Sequence, residues 1–260
     1  MVRALIQPTA ETYNEYLHFA NGRDLGFEII DFALTDVINS EYKDVIEHYE
    51  SKPDGEKRLF ISQHGAFLDI YINSRDRLIR EVSEKRIFDN LQISERLKLP
   101  FTVFHSGFIP LIGQRSYYEN WVNRHIEFWS GVNKQFKTCI LLENLWDPSP
   151  NNLLEVMEQL NPNSANICFD TGHHNIFSKA TLREWFKALG KRIPYIHMND
   201  NLGDVDSELP AGNGSVNWLE FNDVVNEFCD KPIIVFEVGN LERIAQTIYY
   251  LEKNRIYPYN

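Results

Sequence analysis

Eight short apolar runs bounded by turn residues recur along this chain, and most are separated by longer segments with helical spacing, rich in Glu, Lys, Arg and Leu. The runs cover residues 2–7, 27–32, 59–64, 101–105, 138–143, 166–170, 193–197 and 232–237. The helical segments cover 10–20, 41–50, 76–97, 117–136, 152–160, 181–189, 218–228 and 241–253. Such alternation is expected of parallel strands, because each return to the same end of a sheet needs a crossover of a dozen or more residues. Runs such as Thr138-Cys-Ile-Leu-Leu and Pro232-Ile-Ile-Val-Phe are almost continuously apolar. That suits strands covered by helices on one face and by barrel packing on the other. Eight units predict a closed (β/α)8 barrel. A doubly wound open sheet is the alternative, but no Gly-rich phosphate loop follows an early strand to support its dinucleotide-binding form.

The 260 residues, 43% of them hydrophobic, are enough to bury one sizeable core. No Pro/Gly/Ser-rich linker divides them, so a single domain over residues 1–260 is expected. No window approaches a membrane span, and the N-terminus lacks a charged segment followed by an apolar run. A cytoplasmic protein with no membrane partner is the resulting expectation. Cys139, Cys168 and Cys229 are odd in number and set in apolar stretches, which suits reduced core thiols. A formal net charge of −11 opposes attraction to a polyphosphate, so nucleic acid is a disfavoured partner. Self-association as a homo-oligomer is left open.

In a parallel barrel the C-terminal strand ends open onto one face, where functional side chains gather. Here the third to eighth runs end in His64, His105, Glu143, Asp170, His197 and Glu237. Any one of these is explained by a strand's exit into solvent, but six in order on one rim call for a common cause. Glu143, Asp170, His197 and Glu237 form an oxygen-rich set for one divalent ion, manganese or magnesium by preference, with cobalt or zinc able to substitute. His64 and His105 are candidates for substrate binding or for further metal. His173 follows Asp170 by three residues and, with Asp206 and Glu208, forms a second group expected in loops. His174 is expected to be structural, and His18, His48 and His125 receive no role. Asn144 is a candidate for orienting Glu143. Asp200, Asp204, Asp206 and Glu208 share one loop without Lys or Arg, which would repel an unneutralised phosphate. The glycines of Ala211-Gly-Asn-Gly214 suit a tight loop beside the site. Phe67, Phe108 and Trp146 are candidates for an apolar pocket wall or for the core.

Seven stretches together resemble the xylose-isomerase-like TIM barrel superfamily, which contains sugar isomerases and epimerases and the abasic-site endonucleases of the endonuclease IV type. They are Ile61-Ser-Gln-His-Gly-Ala-Phe-Leu-Asp69, Val103-Phe-His-Ser-Gly107, Leu142-Glu-Asn144, Phe169-Asp-Thr-Gly-His173, Ile196-His-Met-Asn-Asp200, Gly212-Asn-Gly214 and Phe236-Glu-Val-Gly239. The epimerase branch implies one metal on Glu143, Asp170, His197 and Glu237, with both glutamates exchanging the proton on a substrate carbon and His173 binding substrate. The arginine that commonly follows the histidine matching His197 in ketohexose epimerases is absent here. The endonuclease branch implies three zinc ions on His64, His105, Glu143, Asp170, His173, His197, Asp206 and Glu237, with Glu208 standing where that branch has a histidine. The favoured reading is a metal-dependent isomerase or epimerase of a small sugar-like carbonyl compound, using Glu143 and Glu237 as catalytic residues. A multi-zinc phosphodiesterase is second, and a non-catalytic barrel third.

Overall fold

The computed structural model describes residues 4–40, 42–132 and 134–260. Val2 and Arg3 of the first expected strand, and Glu41 and Asn133 of two expected helices, lie outside the described residues. Eight parallel strands close into one barrel in chain order: β1 Ala4–Ile6, β2 Leu25–Ile29, β3 Phe60–His64, β4 Phe101–His105, β5 Cys139–Glu143, β6 Ala165–Asp170, β7 Tyr195–Met198 and β8 Ile233–Phe236. The ring is completed by β8 pairing with β1. The helices are α1 Tyr13–Ala20, α2 Thr35–Ser40, α3 Tyr42–Glu50, α4 Asp54–Lys57, α5 Arg77–Leu97, α6 Arg115–Val132, α7 Asn151–Gln159, α8 Thr171–Phe177, α9 Leu182–Leu189, α10 Trp218–Phe228 and α11 Leu241–Asn254.

The predicted barrel is therefore observed, with two local corrections. The second strand lies two residues earlier than expected, and the apolar residues that suggested its continuation belong to a 3-10 turn at Asp31–Ala33, where Phe32 is buried. Helices α2, α4 and α8 were not anticipated; at six, four and seven residues they are too short to display a helical period.

Helix α9 shows how the outer layer is held. Thr181 accepts from the Glu184 backbone N–H at 3.2 Å, and the Glu184 carboxylate accepts from the Thr181 backbone N–H at 2.7 Å, a reciprocal cap that satisfies two otherwise open donors. Leu182, Trp185, Phe186 and Leu189, at helical spacing, form its buried face against the barrel. Each large apolar side chain buried this way contributes about 2 kcal/mol. No described helix is long and apolar enough to cross a membrane. All three cysteines are free, as expected.

Inside the ring, side chains alternate inward and outward with the period of two that strands impose. Leu5, Val103, Cys139, Leu141, Cys168, Tyr195 and Val235 point inward and pack into one cluster separate from the main core under the helices. Two residues further along the same strands come Gln7, His105, Glu143, Asp170, His197 and Glu237. The site is thus the top layer of the barrel's own interior packing, resting on an apolar plug.

Candidate metal centre

His64, His105, Glu143 and Asp170 end their strands, His197 is the penultimate residue of β7, and Glu237 follows β8 directly. Ligand atoms of Glu143, Asp170, His197 and Glu237 all lie within 4.8 Å of one another, and so do those of His64, His105 and Glu143. Glu143 belongs to both sets and sits at their centre. Its Oε2 is 3.4 Å from His64 Nε2, 3.5 Å from His105 Nε2 and 3.4 Å from His197 Nδ1, while Oε1 is 3.2 Å from His173 Nδ1. Both oxygens are buried and accept no well-formed hydrogen bond, an arrangement that a divalent cation would relieve. The donor set therefore fits a metal ion. Cys168 also lies within reach of Glu143 and His197, beneath the oxygen donors.

The imidazoles are held in defined orientations. His64 Nδ1 faces the Gly65 carbonyl at 2.8 Å, which leaves Nε2 turned toward Glu143. His173 Nδ1 faces the Asn144 carbonyl at 2.9 Å, and its Nε2 lies 3.2 Å from Asp206 Oδ2. His173 is on α8 rather than in a loop, because Asp170 caps that helix by accepting from the His173 backbone N–H at 2.5 Å. Asp170 thus ends a strand, caps a helix and offers its carboxylate to the cluster. Asn144 does not orient the Glu143 carboxylate. Its side chain exchanges hydrogen bonds with the Asp170 backbone, donating to the carbonyl at 3.0 Å and accepting from the N–H at 2.8 Å. The neighbouring turn needs Gly172, where a Cβ would stand 1.8 Å from Asn199 Oδ1, and Asn199 Nδ2 donates to Asp170 Oδ2 at 2.8 Å.

Electrostatics follow from burial and proximity. Burial alone would raise Glu143, but the His197, His105 and His173 imidazoles outweigh it and hold its carboxyl well below the usual range. The same competition, with His197 the main opposing charge, takes Glu237 down to about 2. Asp170 moves the other way, raised by burial and by the Glu237 and Glu143 carboxylates against the pull of His173. Burial lowers His105 to about 3, so it is a neutral donor at ordinary pH. His174 faces the Ala180 carbonyl at 3.0 Å and is pushed down to about 4 by burial, in keeping with a structural role. His125, to which the sequence assigns no role, is buried and stacked on Trp121 at 3.9 Å.

A cavity of about 540 Å³ opens above the cluster. His64, His105, His173, Asp206, Glu208 and Glu237 form its polar side, and Phe67, Leu68, Tyr71 and Trp146 its apolar side. Phe108 packs away from it, against Trp121 and Tyr117. Glu143 does not reach the cavity surface, being enclosed by the four imidazoles, whereas Glu237 does.

The loop after β7 divides into a buried anchor and an acidic wall. Asp200 is fully buried: Oδ1 accepts from the Asn201 and Val216 backbone N–H groups, and Oδ2 from the Gly212 N–H and the Trp218 indole. The 211–214 run wraps this carboxylate, and a Cβ on Gly214 would lie 2.3 Å from Asp200 Oδ1. Glu208 adopts a left-handed backbone at φ 45°, a conformation that costs a non-glycine residue about 1–3 kcal/mol. Arg243 holds the strained segment by donating to the Glu208 carbonyl at 3.1 Å. Burial, with Glu237 and Asp206 nearby, raises Glu208 to about 7. A carboxyl raised on folding stabilises least once it ionises, so its contribution falls as pH rises from the unfolded value through 7. Metal-free Glu208→Gln is therefore expected to melt above wild type, with a gap that widens between pH 5 and pH 8. Paired thermal melts test this, and a gap that shrinks as pH rises contradicts it.

A closed parallel barrel with carboxylates and imidazoles converging at its C-terminal mouth defines a class, and comparison with known proteins places the chain within it. Residues 19–254 match the Xylose isomerase-like TIM barrel family, and the chain belongs to that family. An uncharacterised protein of Methanocaldococcus jannaschii is 25% identical, the match covering 68% of this chain and 64% of that protein's length. The “Probable endonuclease 4” of Persephonella marina is 24% identical, over 89% of this chain and 92% of that one. Among solved structures, a D-tagatose 3-epimerase-like protein superposes with a TM-score of 0.74 at 20% identity, covering 95% of this chain and 96% of the other. A Thermus thermophilus protein, from crystals soaked with ZnCl2, gives a TM-score of 0.73 at 20% identity over 96% and 97% of the two chains.

Proposed function

We propose that the chain is a divalent-metal-dependent isomerase or epimerase acting on a small, uncharged, polyhydroxylated carbonyl compound. The observation that carries this reading is the cavity lining: imidazoles and carboxylates face an apolar wall, and no Lys or Arg is among the described lining residues. A phosphorylated substrate would find no guanidinium or ammonium group there, only imidazoles that already face carboxylates, whereas a neutral polyol finds acceptors, donors and aromatic faces.

Glu143, Asp170, His197 and Glu237 would hold the ion, which when bound supplies a Lewis acid that makes the hydrogen beside a carbonyl easier to remove. Glu237 is the carboxylate positioned to take that hydrogen and return it, since it lines the cavity and is ionised above about 2. His173, with Nε2 toward Asp206 and the cavity, would hold a substrate hydroxyl. Glu143 serves as ligand, because the imidazoles around it separate it from substrate. A proton returned by one carboxylate to the same face of the substrate suits 1,2-isomerisation, whereas inversion at a carbon calls for a second acid on the opposite face.

A hydrolytic reading on phosphate esters is favoured by one observation, the convergence of His64 and His105 Nε2 on the Glu143 oxygen that also faces His197. Two ions sharing that carboxylate would suit hydroxide attack on phosphorus. The deciding experiment is metal content per chain after loading with manganese or zinc, followed by incubation with a panel of aldoses and ketoses in D2O. About one ion per chain, with deuterium entering next to the carbonyl and both ion and exchange lost in Glu237→Gln, is expected. Two or three zinc ions together with cleavage of a bis-aryl phosphodiester and an inert sugar panel would replace this reading with the hydrolytic one.

A further inference from the structure

Glu28 is fully buried inside the barrel, one residue before the end of β2, where a parallel strand ordinarily carries an apolar side chain. Glu28 faces the interior because Leu25, Phe27 and Ile29, on the alternate face of β2, pack into the core under the helices, and a register shift between β2 and β3 sets Ser62 rather than Ile61 opposite it. The Glu28 carboxylate is ringed by partners. Oε1 accepts from Gln7 Nε2 at 3.0 Å and stands at ion-pair distance, 3.0 Å, from His197 Nε2 without a well-aligned hydrogen bond, while Oε2 accepts from the Ser62 hydroxyl at 3.0 Å and the Tyr195 hydroxyl at 2.7 Å. The same Gln7 amide nitrogen lies 3.2 Å from Glu237 Oε1. The far sides of both neighbours then point to one place, for His197 Nδ1 and Glu237 Oε2 are 3.1 Å apart.

We propose that Glu28 is a positioning residue for the metal centre, fixing the His197 ring by its Nε2 edge and, through Gln7, fixing Glu237 by Oε1, so that Nδ1 and Oε2 are presented to the same ion. An isolated charge in the barrel interior is costly unless it is fully partnered, and the partners here connect it to two of the four donors. Imidazole ligands in metal sites are generally held by a carboxylate or carbonyl at the other ring nitrogen, which sets the tautomer and the ring plane. Tyr195 and Ser62, which touch neither His197 nor the other donors through hydrogen bonds, brace Glu28 from below. The inference rests on the metal reading of the cluster but not on any particular reaction.

The test titrates metal-free protein with cobalt(II) against a competing chelator, reading both affinity and the visible absorption of the bound ion. Glu28→Leu is expected to weaken binding about 10- to 100-fold and to alter the cobalt spectrum, since the ring loses its anchor. Glu28→Gln keeps an oxygen for His197 and Gln7, so it should retain the wild-type spectrum with a smaller loss of affinity. If Glu28→Leu does not fold, Gln7→Leu at the barrel mouth should show the same kind of spectral change. Wild-type affinity and spectrum in folded Glu28→Leu, or in Gln7→Leu where it must stand in, would overturn the proposal, as would a Gln variant as impaired in both readouts as the Leu variant. Glu237→Gln run alongside separates this from failure of the site itself: if it also binds cobalt normally, the metal reading falls.

Discussion

Glu143→Gln should leave a folded barrel that binds essentially no divalent metal. Glu143 belongs to all three ligand groups among the described residues, whereas His197 belongs to two and every other donor to one, so loss of Glu143 removes a ligand from each of them. The effect should exceed the roughly 10- to 100-fold penalty of losing an orienting partner, and elemental analysis after loading should read near zero. The fold should survive, because the apolar plug below and the helical layer outside do not depend on the carboxylate. Retention of about one ion per chain by a well-folded variant would show that Glu143 is not the shared ligand, and would direct attention to Asp170, His197 and Glu237 alone.

Asp200→Ala should cost about 3–5 kcal/mol of stability, the largest loss expected from a single polar substitution away from the metal cluster. Three backbone N–H groups and one indole N–H converge on this buried carboxylate, and removing it leaves all four donors in a space that water reaches poorly. In a chain of this size that corresponds to a melting temperature lower by roughly 6–20 °C. Asp200→Asn should fall between, because it keeps one accepting oxygen and turns an amide toward the remaining donors. Chemical denaturation compared among the three proteins tests the ranking, and an alanine variant within about 1 kcal/mol of wild type would mean that the loop is anchored elsewhere.

Both residues show where sequence can and cannot be read. The barrel was legible because parallel strands leave near-continuous apolar runs, and the metal candidates were legible because each interrupts such a run at its end. Asp200 looked like one more acid in an unneutralised loop, since nothing local distinguishes a carboxylate turned inward to backbone donors from one in solvent. Glu28 is hidden in the sequence for a related reason. A lone acid within Leu25-Gly-Phe-Glu-Ile29 reads as a solvent-facing position, and the Gln7, Ser62, Tyr195 and His197 side chains that partner it come from elsewhere in the chain. The helical setting of His173 was available in principle, because Asp-Thr-Gly-His places a capping side chain three residues before the imidazole. The burial of Glu143 behind four imidazoles was not available, as it depends on the angles at which four different strand ends meet.

The plug formed by Leu5, Val103, Leu141, Cys168, Tyr195 and Val235 closes the barrel beneath the site. Among the described residues no exit opens on the far side, so a molecule that reaches Glu237 would back out through the doorway it entered. On the proposed reading, incoming and outgoing molecules would compete for that doorway, and passage by threading would be excluded. Traffic through that doorway, bounded by Leu68 and Trp146 on one side and the acidic loop on the other, sets an upper limit on the rate of any chemistry performed at the bottom.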